Sequence, residues 1–424
     1  MFAVSSAYAL HAQQADTTVD RRLAAVEKTL DRFDGLTISG YIHAQWQWTR
    51  VAGPEPEGFV PTFGDPFSPE MNNRFTVRRG IIKLTYTQGL FSGVVTPNFT
   101  EKGFGIKDVY VDFATRDKVL SVCAGLFNRP FGYEIELSSS DRESAERSRI
   151  FTALFPGQRD VGAKVVLRGK SGFLSQLTLD AGLFSGNGVA PETDSYKDFI
   201  GRLAWNSDFQ GGTTQVGLAA SCYAGTVYGG TMADQTHNSY TYVRGSGWRL
   251  SVTDRRAART YWGISGYVVQ RWWPGGTTKL TAEYITGQQP SAAERFAGTM
   301  GSSFNGSTDL YLREFGGGYV MLVQNIGSTR FSGMLKYDFF DPNLKVGGNA
   351  IGGETVQGDF SASTAADIAY KTYSLGALFD LNDYVRFSAQ YDIARNETTT
   401  HIAGFGPGER IHQNVLTLRV QIKF

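Results

Sequence analysis

The chain has 424 residues, among them 50 glycines, 29 phenylalanines, 20 tyrosines, 7 tryptophans and only 13 prolines. Its 41 basic and 40 acidic side chains leave a formal net charge of +1, which argues against partners such as nucleic acid or an anionic membrane surface. A mean hydropathy of −0.23 and the lack of any apolar run near ~18 residues exclude a helical membrane protein, but not a β-barrel, whose membrane signal is spread over alternating strands.

The N-terminal segment combines an apolar stretch with small residues. Residues 2–10 read F-A-V-S-S-A-Y-A-L, and H-A-Q-Q-A follows. This pattern is typical of the apolar core and cleavage site of an export signal. We therefore interpret residues 1–15 as the remnant of a signal peptide and exclude them from the fold.

The next segment, residues 16–35, is predicted to form a short periplasmic helix. An a/d heptad pattern, with spacings of three, four and three, is formed by Leu23, Val26, Leu30 and Phe33. Such a helix of about fifteen residues is only marginally stable alone in water. Two interpretations stay open: a coiled coil that joins subunits, and a helix that packs against the rim of its own barrel.

From residue 36 to residue 424 the chain alternates between strand patterns and turns. Sixteen segments are predicted to be strands: 36–50, 73–88, 90–99, 104–115, 117–127, 160–169, 173–184, 197–206, 213–225, 259–272, 277–287, 308–324, 328–341, 367–380, 382–395 and 411–424. The odd-numbered connections between consecutive strands are long, except the second of them at residues 100–103. The even-numbered connections are short turns. Outer-membrane barrels have this arrangement, with an even number of strands, short periplasmic turns and longer external loops.

Residues 241–253 could form one further strand. Seventeen strands would place the two termini on opposite sides of the membrane, so we assign these residues to the fifth external loop.

The last strand shows best how the side chains alternate. Its apolar face carries Leu416, Leu418, Val420, Ile422 and Phe424, and its polar face carries Thr417, Arg419, Gln421 and Lys423. An apolar exterior around a polar interior is the reverse of a soluble barrel. The predicted fold class is therefore all-β: residues 36–424 form a sixteen-stranded antiparallel transmembrane β-barrel around an aqueous channel, preceded by the short periplasmic helix.

Several motifs occur between residues 74 and 168. They are R-F-T-V-R-R at 74–79, K-D-V-Y-V-D-F at 107–113, G-L-F-N-R-P-F-G-Y-E at 125–134, S-S-S at 138–140, E-R at 146–147 and F-P-G-Q-R-D at 155–160. In these motifs the chain resembles the phosphate-selective porin O and P family of Gram-negative outer membranes. The resemblance implies a homotrimeric sixteen-stranded porin in the outer membrane, with lipid and small anionic or polar solutes as partners. It also implies that the third loop, 128–159, folds inwards.

The resemblance also implies an eyelet that selects anions. Carried over by motif, its residues are Arg78, Arg79, Asp108, Ser138, Ser139 and Arg147. The alternation of side chains along the strands also places Asp108 and Arg79 on the side of the lumen. Arg78 has the opposite parity and would point inwards only if a β-bulge intervened.

The third loop carries equal numbers of basic and acidic residues. Its arginines are Arg129, Arg142, Arg147, Arg149 and Arg159, and its carboxylates are Glu134, Glu136, Asp141, Glu143 and Glu146. This balance leaves two predictions open. One is passive diffusion with a phosphate-like anion preference, because arginine is always charged and its forked donors match phosphate. The other is a general, weakly selective or oligosaccharide-admitting porin with arginines and carboxylates on opposite walls.

The fifth loop contains a further group of arginines. They are Arg244, Arg249, Arg255 and Arg256. One interpretation is a basic funnel at the mouth that steers anions inwards. The alternative is a solvated loop whose charges serve solubility.

The sequence contains no pattern typical of an enzyme. There is no G-x-S-x-G motif, and the histidines lack metal-ligand spacing; they are His11, His43, His237, His401 and His412. We therefore expect no catalytic site, no metal site and no cofactor. A non-conducting barrel that acts as a scaffold or adhesin is the third alternative.

Overall fold

The structure, a computed structural model, describes most of the chain. The described residues are 19, 21–27, 33–50, 64, 67–68, 70–192, 194–228, 238–252, 256–272, 274–296, 309–408 and 414–424. The predicted signal remnant, residues 1–15, lies outside them. Residues 21–27 are helical, and within the described ranges no helix is both long and apolar enough to cross a membrane.

The described residues contain nineteen strands and a short helix, α1 (Arg149–Leu154), besides the N-terminal helical residues. The strands are β1 (Leu36–Thr49), β2 (Asn73–Gln88), β3 (Phe91–Thr100), β4 (Gly103–Ala114), β5 (Leu120–Asn128), β6 (Arg159–Arg168), β7 (Leu177–Phe184), β8 (Asp198–Phe209), β9 (Thr214–Tyr228), β10 (Ser239–Val243), β11 (Gly247–Val252), β12 (Arg256–Trp272), β13 (Gly276–Ser291), β14 (Leu310–Asn325), β15 (Phe331–Asp341), β16 (Phe360–Ser361), β17 (Tyr370–Asp380), β18 (Val385–Asn396) and β19 (Asn414–Lys423).

Sixteen of the strands in the described ranges form a closed antiparallel barrel, which confirms the predicted fold class. The wall closes where β1 pairs with β19, with Ala44 opposite Val420. A closed wall leaves no strand edge with unpaired backbone groups, as a membrane-spanning sheet requires.

The strands β10, β11 and β16 lie outside the wall. β10 and β11 form a hairpin in the loop between β9 and β12, and β10 pairs in parallel with the start of β14, with Ser239 opposite Leu310. Residues 241–252 thus belong to the fifth loop, as predicted, although they contain strand structure; residue 253 lies outside the described residues.

The predicted alternation of side chains is confirmed on the strands at the closure. Ile42 on β1 and Leu418 on β19 are exposed on the outside, whereas Gln47, Thr417 and Arg419 are buried in the interior. The outer surface of this wall therefore suits hydrocarbon and its inner surface suits polar groups.

The expectation of a uniformly polar interior is wrong for the side formed by β8 to β15. There, inward-facing aromatic and aliphatic side chains pack against the apolar residues of the loop between β5 and β6. The packed residues include Phe131, Ile150, Phe151 and Phe155 of the loop and Tyr223, Tyr261, Ile285, Phe315, Tyr319 and Phe340 of the wall. The hydrophobic effect favours this contact, because both surfaces are apolar and leave water together. Two cavities with many charged residues lie on the opposite side.

Candidate functional site: the constriction of the lumen

The loop between β5 and β6, residues 129–158, is called loop 3 here; it crosses the interior and is bonded to the far wall. The backbone N–H groups of Tyr133 and Glu134 donate to the carboxylate of Glu283 on β13, at 2.9 and 3.0 Å. On another side of the barrel, the N–H of Ala145 donates to Gln390 on β18 at 2.7 Å. Loop 3 thus narrows the lumen and defines a constriction between itself and the strands β1 to β6.

A β-bulge in β2 brings two consecutive arginines to the constriction. The pairing of β1 with β2 shifts between His43, opposite Arg79, and Ala44, opposite Val77. Arg78 is the extra residue of the bulge, and Val77 is exposed on the outside. Both Arg78 and Arg79 consequently face the lumen. The β-bulge that Arg78 needs in order to point inwards is therefore present.

A second bulge, in β4, does the same for a lysine and an aspartate. The pairing of β3 with β4 shifts between Thr96, opposite Asp108, and Pro97, opposite Ile106, so that Lys107 is the extra residue. Proline has no N–H to donate to a neighbouring strand, and it is found at bulges for that reason. Lys107 was not singled out from the sequence, although Pro97 was a signal for it.

Arg78 serves mainly to hold loop 3 in place. Its Nε and Nη2 donate to the carboxylate of Glu146 at 2.7 and 2.9 Å, and Arg419 donates to the same carboxylate at 2.8 Å. Burial opposes ionisation of Glu146, but Arg78 and Arg419 outweigh it and hold the pKa of Glu146 well below its ordinary value. The three groups form one partly buried ionic cluster.

Arg147 also has a structural part in the loop. Its Nε donates to the carbonyl of Glu134 and its Nη2 to the carbonyl of Leu137, both at 3.0 Å. Burial lowers the pKa of Arg147 well below its ordinary value, and the positive charges of Arg142 and Arg79 lower it further. Positive charge is therefore concentrated around this arginine.

The serines of the loop lie beside Arg147. The hydroxyl groups of Ser138 and Ser140 are hydrogen-bonded at 3.0 Å. The buried hydroxyl of Ser139 has no partner within the described ranges. Ser138 and Ser139 both line the same cavity as Arg147.

Arg79 and Lys107 differ from the other cations of the constriction. Asp108 does not pair with either of them, because it accepts a hydrogen bond from Arg159 at 3.0 Å. Among the residues that the structure describes, neither Arg79 nor Lys107 has an ion-pair or hydrogen-bond partner. Lys107 lies in the electrostatic field of Arg79, Arg147 and Arg159. These two side chains are available to a passing anion.

Two cavities flank the constriction. The cavity on the side of the short turns, the turn-side cavity, has a volume of about 780 Å³; the one on the side of the long loops, the loop-side cavity, has a volume of about 210 Å³. The first is lined by the basic residues Lys83, Lys107, Arg147, Arg159, Lys164, Arg168 and Lys423 and the acidic residues Asp108, Asp112, Glu136 and Asp180. The second is lined by the basic residues Arg74, Arg78, Arg79 and Lys102 and by one acid, Glu101. Basic residues outnumber acidic ones in both.

The arginines of the fifth loop lie apart from the constriction. Arg244 is exposed in the turn between β10 and β11. Arg249 lies over the ring of Phe360 at 5.9 Å, and Arg256 over the ring of Tyr196 at 4.6 Å. Arg255 lies outside the described residues. No cluster of histidine, cysteine, aspartate or glutamate within the described ranges could hold a metal ion.

Comparison with known proteins identifies the fold. No family model and no curated protein matches the chain. Among solved structures, OprB of Pseudomonas putida has 10% identity and a TM-score of 0.58, over 94% of this chain and 96% of that one. The outer membrane channel DcaP of Acinetobacter baumannii has 11% identity and a TM-score of 0.52, over 92% and 97%. The trimer form of OmpT, an outer membrane protein of Vibrio cholerae, has 9% identity and a TM-score of 0.50, over 92% and 99%. At these identities the likeness shows the barrel fold.

Proposed function

We propose that the protein is a porin of a Gram-negative outer membrane, through which small hydrophilic solutes diffuse with a preference for anions. The observation that carries the preference is the pair Arg79 and Lys107, which face the lumen at its constriction without a partner among the described residues. Arg78 and Arg147 contribute by shaping loop 3 and by adding positive charge.

The energetics of such a pair suit transport. An anion that enters the constriction exchanges water for donors, and each charge-assisted hydrogen bond contributes about 1.5–3 kcal/mol net. Two such bonds approach the roughly 4 kcal/mol of millimolar binding. Anions are then favoured over cations, and they still leave quickly.

The charges around the constriction also favour anions over cations. The turn-side cavity has seven basic and four acidic side chains, and the loop-side cavity has four and one. The carboxylates of loop 3 leave most of this excess in place. Glu134 and Glu143 are paired with Lys336 and Lys279, which line neither cavity. Glu146 is shared between Arg78 of the loop-side cavity and Arg419, which lines neither cavity. An anion therefore meets a positive potential on both sides of the constriction.

Planar-bilayer recordings test the proposal. In a KCl gradient, the reversal potential of the wild type is expected to indicate anion selectivity, and Arg79→Ala combined with Lys107→Ala is expected to abolish it. Phosphate added to chloride is expected to reduce the wild-type current but not that of the double variant, which would support the phosphate-like preference of the family that the sequence resembles.

The matched control replaces an arginine and a lysine in the short turns, Arg116→Ala with Lys170→Ala. Both side chains are exposed there and lie outside the lining of either cavity. The control should retain the wild-type selectivity. Cation selectivity of the wild type, or unchanged selectivity in the lumen double variant, would refute the anion preference; an absence of conductance would favour the scaffold or adhesin.

We further propose that the protein is a homotrimer. In the single chain, Leu23 and Val26 of the N-terminal helical segment and Phe33 after it are exposed, as expected of a stripe covered by other copies. Native mass spectrometry in mild detergent tests this proposal. A monomeric mass under conditions that preserve the closed barrel would contradict it.

A further inference from the structure

The outer surface of the wall carries two basic side chains that face the lipid. Lys371 on β17 lies directly opposite Arg395 on β18 in the antiparallel pairing. The neighbours of Lys371 along the strand, Tyr370 and Thr372, are buried in the interior, while Lys371 is exposed. Residues directly opposite each other project from the same face of a sheet, so Lys371 and Arg395 both point outwards.

Outward-facing aromatic residues indicate where this pair lies relative to the membrane. Tyr373, two residues from Lys371 towards the middle of the wall, is exposed and lies 5.2 Å from the ring of Tyr337. Aromatic side chains on the outside of a membrane barrel form girdles at the boundary between hydrocarbon and headgroups. Lys371 lies two residues nearer the long loops than Tyr373. This position corresponds to the level of the headgroups.

Among the residues that the structure describes, the pair lacks an anionic partner. Like charges directly opposite each other on a sheet destabilise it. Arg395 donates through Nη1 to a backbone carbonyl at 2.8 Å and to Asn414 at 3.4 Å, and Lys371 has no hydrogen bond or ion pair among the described residues. By contrast, Lys345 near the same rim is paired with Glu314 at 2.7 Å.

A cavity of about 430 Å³, the rim cavity, adjoins the two cations. Its apolar lining includes Tyr284, Phe339 and Leu344, and the rings of Tyr284 and Phe339 stack at 6.2 Å. This side of the cavity suits a hydrocarbon chain.

The two acids of the rim cavity are already bonded to the backbone. Glu397 accepts the N–H groups of Gly348 at 2.6 Å and Ala369 at 3.3 Å. Asp341 accepts the N–H of Asn343 at 2.9 Å. Neither carboxylate forms an ion pair with the two cations, so the donor groups of Lys371 and Arg395 remain available to an external anion.

We infer that the rim cavity binds a phosphorylated lipid of the outer leaflet. Lys371 and Arg395 hold its phosphate, and an acyl chain lies against Tyr284, Phe339 and Leu344. The forked donors of arginine and the point charge of lysine both suit a phosphate, and the bound anion converts a repulsive cross-strand pair into an attractive triad. The inference rests on the proposed location in the outer membrane.

Native mass spectrometry with diphosphorylated lipid A as the probe tests the site. The wild-type protein in mild detergent is expected to retain the lipid, and Lys371→Ala combined with Arg395→Ala is expected to bind it about 30-fold more weakly, as two lost basic residues imply. The control Arg116→Ala with Lys170→Ala makes the same change in charge at the opposite rim and should bind like the wild type. Circular dichroism verifies that each variant retains its strands.

Two further arms identify the ligand. Dephosphorylated lipid A should bind as weakly to the wild type as the phosphorylated lipid binds to the rim double variant. Inorganic phosphate at equal concentration should not displace the lipid; displacement would show a site for free phosphate and overturn the inference. Equal lipid retention by the wild type and the rim double variant would also overturn it. Bilayer conductance is recorded for the same samples. A wild-type channel that conducts but does not retain the lipid would refute this inference and leave the proposed function intact.

Discussion

The charged residues of the lumen divide into those that hold loop 3 and those that face the solute path. Arg78 and Arg419 share the carboxylate of Glu146, and Arg147 donates to carbonyl groups of the loop. Arg79 and Lys107 have no such partner among the described residues. Residue type alone cannot make this distinction, since an arginine that builds the loop and one that meets a solute are chemically alike.

Replacing Glu146 by glutamine is expected to destabilise the barrel by about 3 kcal/mol, because Arg78 and Arg419 lose the anion between them. The effect should depend on pH. The ordinary pKa of this carboxyl is 4.5 and its pKa in the folded protein lies well below that value. The stabilisation is therefore complete above about pH 4.5 and is lost as the pH falls through the lower, folded pKa. Urea unfolding in detergent at a series of pH values measures it.

Asp141→Asn provides the control in the same loop. Asp141 pairs with Lys423 at 3.1 Å, but both side chains are substantially exposed, so the loss of this pair should cost well under 1 kcal/mol. If Glu146→Gln left the unfolding free energy and its acid dependence unchanged, the ionic cluster would not be an anchor of loop 3.

At the scale of elements, the strands were predictable because their signal is local. The alternation of side chains placed β2 at 73–88, the range that the structure has for it. The bulges at Arg78 and Lys107 were not predictable in the same way, since each depends on the register with a neighbouring strand. The partners of loop 3 could be predicted still less well. Glu283 lies 150 residues beyond Tyr133 in the chain, and no local pattern connects it with Tyr133 and Glu134, whose N–H groups it accepts.

The segment of loop 3 that is bonded to Glu283, residues 133–134, can be released from the wall by adding one methyl group at the preceding residue. Gly132 has a φ of +66°, and a Cβ at this position would overlap the carboxylate of Glu283, which accepts the next two N–H groups of the loop. Gly132→Ala is expected to break these bonds, to lower stability by about 2–4 kcal/mol and to raise single-channel conductance.

Gly157→Ala is the control that separates the clash with Glu283 from the strain that alanine causes in a left-handed backbone conformation. Gly157 has a similar φ of +70°, but a Cβ there would meet nothing within 4 Å. This variant should lose only about 1–2 kcal/mol and keep the wild-type conductance. Equal conductance in the two variants would mean that contact with Glu283 does not hold the loop in the lumen.

For the whole molecule, the division of the interior is the feature that matters most for transport. Sixteen strands can enclose a wide aqueous channel. Here loop 3 fills the side of β8 to β15 with packed aromatic rings, and the charged cavities occupy the other side. The aromatic residues on that side of the wall are covered by the loop, whereas Tyr41, Tyr110 and Phe127 line the turn-side cavity. We therefore expect the path that remains to admit small charged solutes more readily than oligosaccharides.

This division predicts a small size limit, which liposome swelling can measure. Monosaccharides are expected to enter at a measurable rate, whereas raffinose, a neutral trisaccharide, should enter no faster than into liposomes without protein. Gly132→Ala should admit raffinose because it loosens loop 3, and Gly157→Ala should not. Rapid entry of raffinose through the wild type would instead favour the oligosaccharide-admitting alternative, since loop 3 and its aromatic contacts would then have to leave the lumen in the membrane.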